Sequence, residues 1–142
     1  MKEPAQQAYI TSAAHSALIN HCLTALPLEA CGLLAASSSS SSIDSLYPIR
    51  NIDSQPETGF TFDPAQWTEA FFNMQKNQQK LVGFYHSHPQ TAAIPSVRDV
   101  NGIIWGQTAA YWIISLVNVQ SPIIQPYIQR NGSFIPVPLV LT

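Results

Sequence analysis

Two histidines separated by a single residue are the side chains of this sequence best suited to bind a metal ion. His86 and His88 flank Ser87 and are followed by Pro89. In an extended strand, alternate residues face the same side, so the two imidazoles leave the backbone about 6.5 to 7 Å apart on one face, and Ser87 faces the other. Pro89 disfavours a helical conformation at His88 and keeps the pair extended. The pair is therefore spaced to bind one ion.

A carboxylate further along the chain supplies a third candidate ligand. Ser96 is a suitable N-cap for a helix, which places Asp99 in its first turn, and a loop over 89–95 can bring that turn back toward the histidines. Zinc accepts two neutral imidazoles and one carboxylate, and three protein ligands leave the fourth position for water, as in catalytic sites. The spacing predicts an open site for one Zn²⁺ per chain.

Each of these residues also has a simpler interpretation. A histidine pair on a strand is more often a surface or hydrogen-bonded pair than a ligand pair. Asp99 alone is most simply a carboxylate stabilised by the helix dipole, and Ser96 alone is a cap. Two of only four histidines, a serine and an aspartate nevertheless fall within 14 residues in an order that builds an open site. The combination favours the metal site.

The elements before this stretch follow from hydrophobic spacing. Residues 11–26 place Ala14, Leu18 and Cys22 on one face and predict an amphipathic helix. The apolar run 30–35 predicts a buried strand, and the alternation over 43–49 predicts a returning strand. Between them, the serine-rich stretch 37–42 predicts a flexible surface loop.

The helices and strand that must position the histidines come next. Asp63, Pro64 and Gln66 form an N-cap, a first-turn proline and a capping-box partner, and predict a second helix to about residue 78. Residues 81–85 predict a strand leading into His86. A third helix after Ser96 is predicted to pack through Val97, Val100, Ile103 and Ile104 and to stop near Gly106.

The remaining chain is predicted to be β-structure. Residues 109–119, 123–129 and 134–141 are rich in aromatic and β-branched side chains, and Asn131-Gly132 predicts a hairpin turn between the last two segments. Helices interrupt the strands irregularly, so we expect an α/β (α+β) fold, a mixed sheet flanked by helices. The length of 142 residues predicts one domain over 1–142.

Composition and charge argue against several classes of protein. The net charge is −2 and the isoelectric point is near 6.0, so the basic footprint of a nucleic-acid-binding protein is missing. Cys22 and Cys31 are too few for a disulfide framework, and we interpret Cys31 as a small core residue. The polar N-terminus and the lack of a run of about 18 apolar residues predict a cytoplasmic protein without a membrane segment.

The histidine stretch resembles a known family signature. The pattern H-S-H-P-x-x-x-A-x-P-S-x-x-D, with His86, His88 and Asp99 as H-x-H-x(10)-D, resembles that of the JAMM (MPN-plus) zinc metalloproteases. That family also has an upstream glutamate before a buried strand, and Glu29 within L-P-L-E-A-C-G-L-L is similar to it. The resemblance extends from Tyr9 to about Tyr127 and implies a curled mixed sheet of the JAB/MPN type.

The resemblance implies a role for each matching residue. His86, His88 and Asp99 would hold zinc. Glu29 would act as general base toward the attacking water and then as general acid toward the leaving amine, and Ser96 would donate a hydrogen bond to the developing oxyanion. Without the resemblance, Glu29 is simply a solvated carboxylate at a helix end.

The resemblance also implies a class of substrate. Members of the family hydrolyse peptide or isopeptide bonds at the C-terminus of ubiquitin or ubiquitin-like proteins, and this chain looks like the short prokaryotic members. We therefore expect a metallopeptidase that acts at the Gly-Gly end of a ubiquitin-like sulfur-carrier protein. Two alternatives remain, a non-catalytic scaffold that binds a ubiquitin-like partner and a phage-tail-like peptidoglycan peptidase, and a homo-oligomer is compatible with the sequence.

Overall fold

A computed structural model describes residues 6–102 and 109–142. Nine strands and three helices are found in these ranges, in the order β1 (Ala8–Ile10), α1 (Ser12–Ala25), β2 (Cys31–Ser37), β3 (Ser42–Ile43), β4 (Ser45–Ile49), α2 (Pro64–Lys76), β5 (Gln79–His88), α3 (Val97–Gly102), β6 (Ala110–Ser115), β7 (Ile123–Arg130), β8 (Ser133–Pro136) and β9 (Leu139–Leu141).

The strands form a mixed six-stranded sheet and a small three-stranded sheet. The large sheet has the order β4-β2-β5-β6-β7-β8, and the small one has the order β3-β1-β9. In the large sheet only β5 and β6 pair in parallel, and every other neighbouring pair is antiparallel. The predicted class, a mixed sheet with helices packed on it, is confirmed.

Helix α1 covers one face of the large sheet. Thr11 caps it, its side chain accepting a hydrogen bond from the backbone N–H of Ala14. The buried helix residues pack in one cluster with β2, β5 and β6, whose members include Ala14, Leu18, Cys22, Leu34, Tyr85, Trp112 and Ile114. The apolar stripe predicted from the sequence is therefore the face that packs on the sheet.

Helix α2 covers the opposite face. Its buried residues Ala70 and Met74 pack against Leu33, Ala35 and Ile49 of the two strands at that edge. Asp63 caps the helix as predicted, but the capping box is not completed: Gln66 Oε1 accepts a hydrogen bond from the backbone N–H of Arg50 instead. The glutamine therefore joins α2 to the end of β4 rather than to its own cap.

Two segments predicted as single strands are each divided between the two sheets. Residues 43–49 form the end of β3 in the small sheet and then β4 in the large one, and residues 134–141 divide into β8 and β9 in the same way. The chain crosses between sheets at Asp44 and near Pro138, whose carbonyl accepts from the N–H of Ala8 in β1. Strand β1 escaped prediction because it is only three residues long.

The predicted packing of the third helix is wrong for the residues that the structure describes. Val97 is 79% exposed and Val100 is also exposed, and α3 buries no side chain. The other predicted contacts, Ile103 and Ile104, and the stop at Gly106 lie outside the described residues. Ser96 precedes the helix as predicted, and its side chain caps the first turn. The start of α3 is therefore set by this cap and not by an apolar stripe.

The remaining predictions about the organisation of the chain concern the serine-rich stretch, the number of domains and membrane crossing. In the serine-rich stretch, Ser37 ends β2 and Ser42 begins β3, so the connection itself is shorter than 37–42. Its flexibility and the assignment of 1–142 to one domain stay predictions. None of the helices in the described ranges has the length and apolar character needed to cross a membrane.

Candidate metal centre and active site

Three predicted ligands converge at the C-terminal end of β5. The Nε2 atoms of His86 and His88 are 3.2 Å apart, and Asp99 Oδ2 lies 3.2 Å from the first and 3.0 Å from the second. Zinc bonds of about 2.0 to 2.1 Å in tetrahedral geometry place neighbouring ligand atoms roughly 3.3 Å apart. The triangle has nearly that size, so the three atoms fit a small divalent cation.

The hydrogen bonds of His88 also favour a cation. His88 Nδ1 lies 2.8 Å from the carbonyl oxygen of Ala92, and because a carbonyl can only accept, Nδ1 carries a proton. In the neutral ring, the Nε2 lone pair then faces the carboxylate oxygen of Asp99. Metal-binding histidines typically donate their other N–H to a carbonyl in this way, which orients the ring. The lone pair of His88 Nε2 and the carboxylate of Asp99 therefore face each other, as two ligands of a shared cation would.

The loop between His88 and Ser96 is held by hydrogen bonds to three successive carbonyls. Besides the contact from His88 to Ala92, Ser115 Oγ donates to the carbonyl of Thr91 at 2.7 Å and Tyr127 Oη donates to that of Ala93 at 2.6 Å. These bonds tie the loop to β6 and β7. They explain how a residue 11 positions after His88 returns to contact it.

Asp99 is held in place by a reciprocal cap with Ser96. The backbone N–H of Ser96 donates to Asp99 Oδ2, and Ser96 Oγ accepts from the backbone N–H of Asp99, both at 2.9 Å. Burial raises the pKa of Asp99, but its contacts with the imidazoles of His86 and His88 and with the backbone N–H of Ser96 outweigh burial and hold the pKa well below the ordinary range. Asp99 is thus ionised, and the Ser96 hydroxyl proton stays available to a second acceptor.

Glu29 lies between α1 and β2, within electrostatic range of His88 and Asp99. Only 5% of the residue is exposed, and burial raises the pKa of its carboxyl to about 7, with opposing influences from His88 and Asp99. A carboxyl with this pKa can accept and release a proton near neutral pH. The solvated carboxylate considered from the sequence is therefore excluded.

Ser87 joins the strand that carries the histidines to the segment that carries Glu29. It is fully buried on the α1 side, where its Oγ accepts from the backbone N–H of Ala30 at 2.8 Å, and its own N–H donates to the carbonyl of Ala30 at 3.0 Å. The predicted alternation is confirmed. The residue between the two histidines thereby fixes the backbone next to Glu29.

The remaining predicted candidates lie outside the ligand set. Cys31 pairs with His86 across β2 and β5, but its thiol is buried and donates to the carbonyl of Ile49, and burial raises its pKa to about 12. It is a core residue, as predicted. His21 of α1 is half-buried and shares a 2.7 Å hydrogen bond with the hydroxyl of Tyr85 in β5.

The sequence reasoning missed the residues of the loop before α2 that border the site. Phe60 stacks on the ring of His86 with centroids 4.6 Å apart, and Arg98, next to Asp99, forms an ion pair with Asp53 of the same loop. No residue of this segment was predicted to contribute to the site. The cluster of turn-forming residues between Asn51 and Gly59 is the signal that could have marked it as an ordered loop.

A cavity of about 590 Å³ opens beside the ligands. His86, Asp99 and Arg98 line the end next to the triangle, and aromatic side chains line the rest, among them Phe60, Phe62, Trp67, Phe71, Phe84, Tyr111 and Phe134. The candidate metal centre therefore borders a large and mostly apolar hollow on the α2 side of the sheet.

Comparison with solved structures identifies the class. A protein from Desulfitobacterium hafniense superposes with a TM-score of 0.84 at 29% identity, over 96% of this chain and 93% of that one. A JAB1/MPN domain protein from Archaeoglobus fulgidus shares the fold with a TM-score of 0.59 at 20% identity, over 96% of this chain and all of that one. The fold is that of a JAB/MPN domain.

The sequence comparison identifies the family. The model for prokaryotic homologues of the JAB domain matches residues 11–125, and the chain belongs to this family. The resemblance noted from the two motifs is thus confirmed.

Curated relatives match over part of their length. A desampylase from Haloferax volcanii is 30% identical over 56% of this chain and 57% of its own. A probable TtuB-protein conjugate cleaving protease from Thermus thermophilus is 31% identical over 60% and 55%, and a CysO-cysteine peptidase from Mycobacterium tuberculosis is 32% identical over 60% and 58%. The chain therefore spans little more than half the length of the curated relatives it matches.

Proposed function

We propose that this protein is a zinc metallopeptidase that hydrolyses a peptide or isopeptide bond after the Gly-Gly end of a ubiquitin-like or sulfur-carrier protein. The observation that carries the proposal is the convergence of His86, His88 and Asp99 with their donor atoms 3.0 to 3.2 Å apart and a buried glutamate within electrostatic range. Three protein ligands of these types are typical of catalytic zinc. The names of the three relatives support the substrate class.

Each polar residue around the triangle has a task in such a reaction. When bound, zinc supplies Lewis acidity toward a water molecule and the scissile carbonyl. Glu29, whose pKa is about 7, takes a proton from the attacking water and passes it to the leaving amine. Ser96 accepts a hydrogen bond from the N–H of Asp99, so its hydroxyl is free to donate to the carbonyl oxygen as negative charge develops there.

The scaffold alternative predicts a different arrangement. A domain that only binds a partner has no need of a buried carboxyl at Glu29 or of a histidine ring oriented by a carbonyl. Among the described residues Glu29 Oε1 has no partner, so its burial costs stability, and such costs are typical of sites that do chemistry. This cost favours catalysis.

The proposal is tested on purified wild type and His88→Ala without chelator. Elemental analysis should find one zinc per chain in the wild type and none in His88→Ala. The substrate would be a β-grasp sulfur carrier fused through its Gly-Gly to a reporter peptide, and the matched control would carry Ala-Ala instead. We expect the zinc-loaded wild type to cleave only the Gly-Gly fusion.

Two results would overturn parts of the proposal. If neither protein binds zinc when zinc is offered, the site is a remnant and the scaffold interpretation replaces it. If the wild type binds zinc but cleaves peptidoglycan peptides and no Gly-Gly fusion, whether peptide- or isopeptide-linked, the metal site stands and the substrate class is wrong.

A further inference from the structure

The buried carboxylate of Glu29 is not fixed through its own oxygen. Within the described part of the chain, its Oε1 is buried and has no hydrogen-bond partner. A free oxygen suits a group that must take and release a proton, but it leaves the direction of the side chain to the backbone that carries it. What holds that backbone therefore determines where the carboxylate lies.

Both backbone polar groups of Glu29 are held by the loop before α2. Its N–H donates to the carbonyl of Pro56 at 2.7 Å, and its carbonyl accepts from Nδ2 of Asn51 at 3.0 Å. Since Glu29 precedes β2, it has no sheet partner of its own, and these two bonds take the place of a ladder. One of them comes from a side chain, which makes it sensitive to a single substitution.

Asn51 also holds the loop itself together. Its Nδ2 donates to the carbonyl of Gly59 at 3.0 Å, and its Oδ1 accepts from the backbone N–H groups of Asp53 at 3.0 Å and Thr61 at 3.1 Å. The amide orientation is unambiguous, because one end faces carbonyls and the other faces N–H groups. One side chain thus connects the two ends of the loop and the backbone of Glu29.

The same loop touches the ligand side of the site. Phe60 stacks on His86, and Asp53 pairs with Arg98, the neighbour of Asp99. Gly59 lies directly under the Arg98 guanidinium, where a Cβ would collide with it. The loop therefore contacts Glu29 through Asn51 and the ligands through these side chains.

We propose that Asn51 is the positioning residue that sets the Glu29 carboxylate relative to His86, His88 and Asp99. This inference rests on the proposed function, in which Glu29 is the proton carrier. Asn51 is neither one of the three candidate ligands nor a lining residue of the cavity, and its effect is exerted through the backbone of Glu29. A displacement of about 1 Å at such a group can cost on the order of 10²-fold in rate.

The test compares two substitutions at Asn51 with a matched control. Asn51→Asp keeps the acceptor for the N–H groups of Asp53 and Thr61 but replaces the donor to Glu29 with a carboxylate oxygen. Asn51→Ser adds no charge. A loss of kcat common to both variants therefore cannot come from added charge. The control is Asn73→Asp, which makes the same change at an exposed position of α2. Zinc per chain, Tm, kcat and KM on the Gly-Gly fusion are measured for each.

We expect both Asn51 variants to bind one zinc and keep KM, with kcat lower by on the order of 10²-fold, and Asn73→Asp to match the wild type. A kcat within twofold of the wild type in a folded, zinc-loaded Asn51 variant would overturn the inference. So would a loss of kcat that only follows loss of zinc or of Tm, because that is a purely structural effect. If Asn51→Asp does not fold, Asn51→Ser decides.

Hydrogen exchange separates this inference from the proposed function. If the zinc-loaded wild type cleaves no fusion, the function fails, and the amide of Glu29 still reports on Asn51. We expect this amide to exchange at least about tenfold faster in Asn51→Ser than in Asn73→Asp, as the loss of roughly 1.4 kcal/mol of local protection implies. Equal exchange would show that Asn51 does not hold Glu29, whatever the activity.

Discussion

The two faces of strand β5 use polar residues in opposite ways. On the α1 face, the Tyr85 hydroxyl is joined to His21, and Ser87 Oγ accepts from Ala30, so each polar group has a partner within the chain. On the α2 face, the Nε2 atoms of His86 and His88 point at each other and at a carboxylate. Both faces are buried, and residues of the two sets alternate along a single strand.

The difference separates residues that hold the fold from residues to which the proposed function assigns chemistry. A buried polar group with a matched donor or acceptor contributes to stability, whereas one left without a match costs it. On the α2 face the Nε2 atoms of His86 and His88 meet each other and the Asp99 carboxylate, and Glu29 Oε1 has no partner among the described residues. Substitutions on this side should change chemistry, and those on the α1 face should change stability.

The largest expected effect is the loss of kcat when the proton carrier is removed and the metal ligands are kept. Glu29→Gln removes the proton carrier but no ligand, so we expect one zinc per chain and a loss of kcat of about 10³-fold or more. Asp99→Ala removes a ligand and should lose both zinc and turnover. Elemental analysis and turnover of the Gly-Gly fusion are measured together, and appreciable activity in Glu29→Gln would exclude the proposed mechanism.

A smaller loss is expected at Ser96. Ser96→Ala removes a hydroxyl that caps α3 and is free to donate to the substrate carbonyl, so kcat should fall on the order of 10² to 10³-fold with zinc retained. Ser121→Ala, in the exposed connection between β6 and β7, is the control. If Ser96→Ala loses only Tm, the residue is a cap and nothing more.

The burial of Glu29 should make the zinc-free protein less stable as the pH rises. Burial raises its pKa from an ordinary 4.5 to about 7, so the folded state binds the proton more tightly than the unfolded one. This contribution to the free energy of unfolding is roughly 3 kcal/mol. It is fully present below pH 4.5 and is lost as the pH rises to about 7. Urea unfolding in the presence of a chelator should give Glu29→Gln a larger free energy of unfolding than the wild type at pH 8.

The same measurement at pH 4 is the control for that prediction. There Glu29 is protonated in the folded state and nearly so in the unfolded state, so the two proteins should have similar stability. A constant difference between them from pH 4 to pH 8 would mean that the effect of the substitution is not due to ionisation.

The smallest effect is expected on the α1 face. Tyr85→Phe removes the hydroxyl that bonds to His21, which should lower the free energy of unfolding by about 1 kcal/mol. Zinc content and kcat should stay at wild-type values, because this side chain points away from the ligands. A loss of zinc in Tyr85→Phe would show that the two faces are not independent.

Local patterns predicted the elements that carry their own signals. The start of α2 at Asp63 and the apolar stripe of α1 involve residues within a few positions of each other. The Asn131-Gly132 turn is of the same kind, and both residues have positive φ. Where the outcome depended on distant partners, as in the division of 43–49 and 134–141 between two sheets, local patterns predicted one strand where there are two.

The sequence by itself determined the composition of the site. The spacing of His86, His88 and Asp99, and the resemblance that added Glu29 and Ser96, are properties of residue type and order. Only the tertiary structure decided how these residues are held, because Asn51, Tyr127 and Ser115 act across sequence separations of 22, 34 and 24 residues. A hydrogen bond between distant residues depends on where the sheet brings their backbones, and no local pattern carries that information.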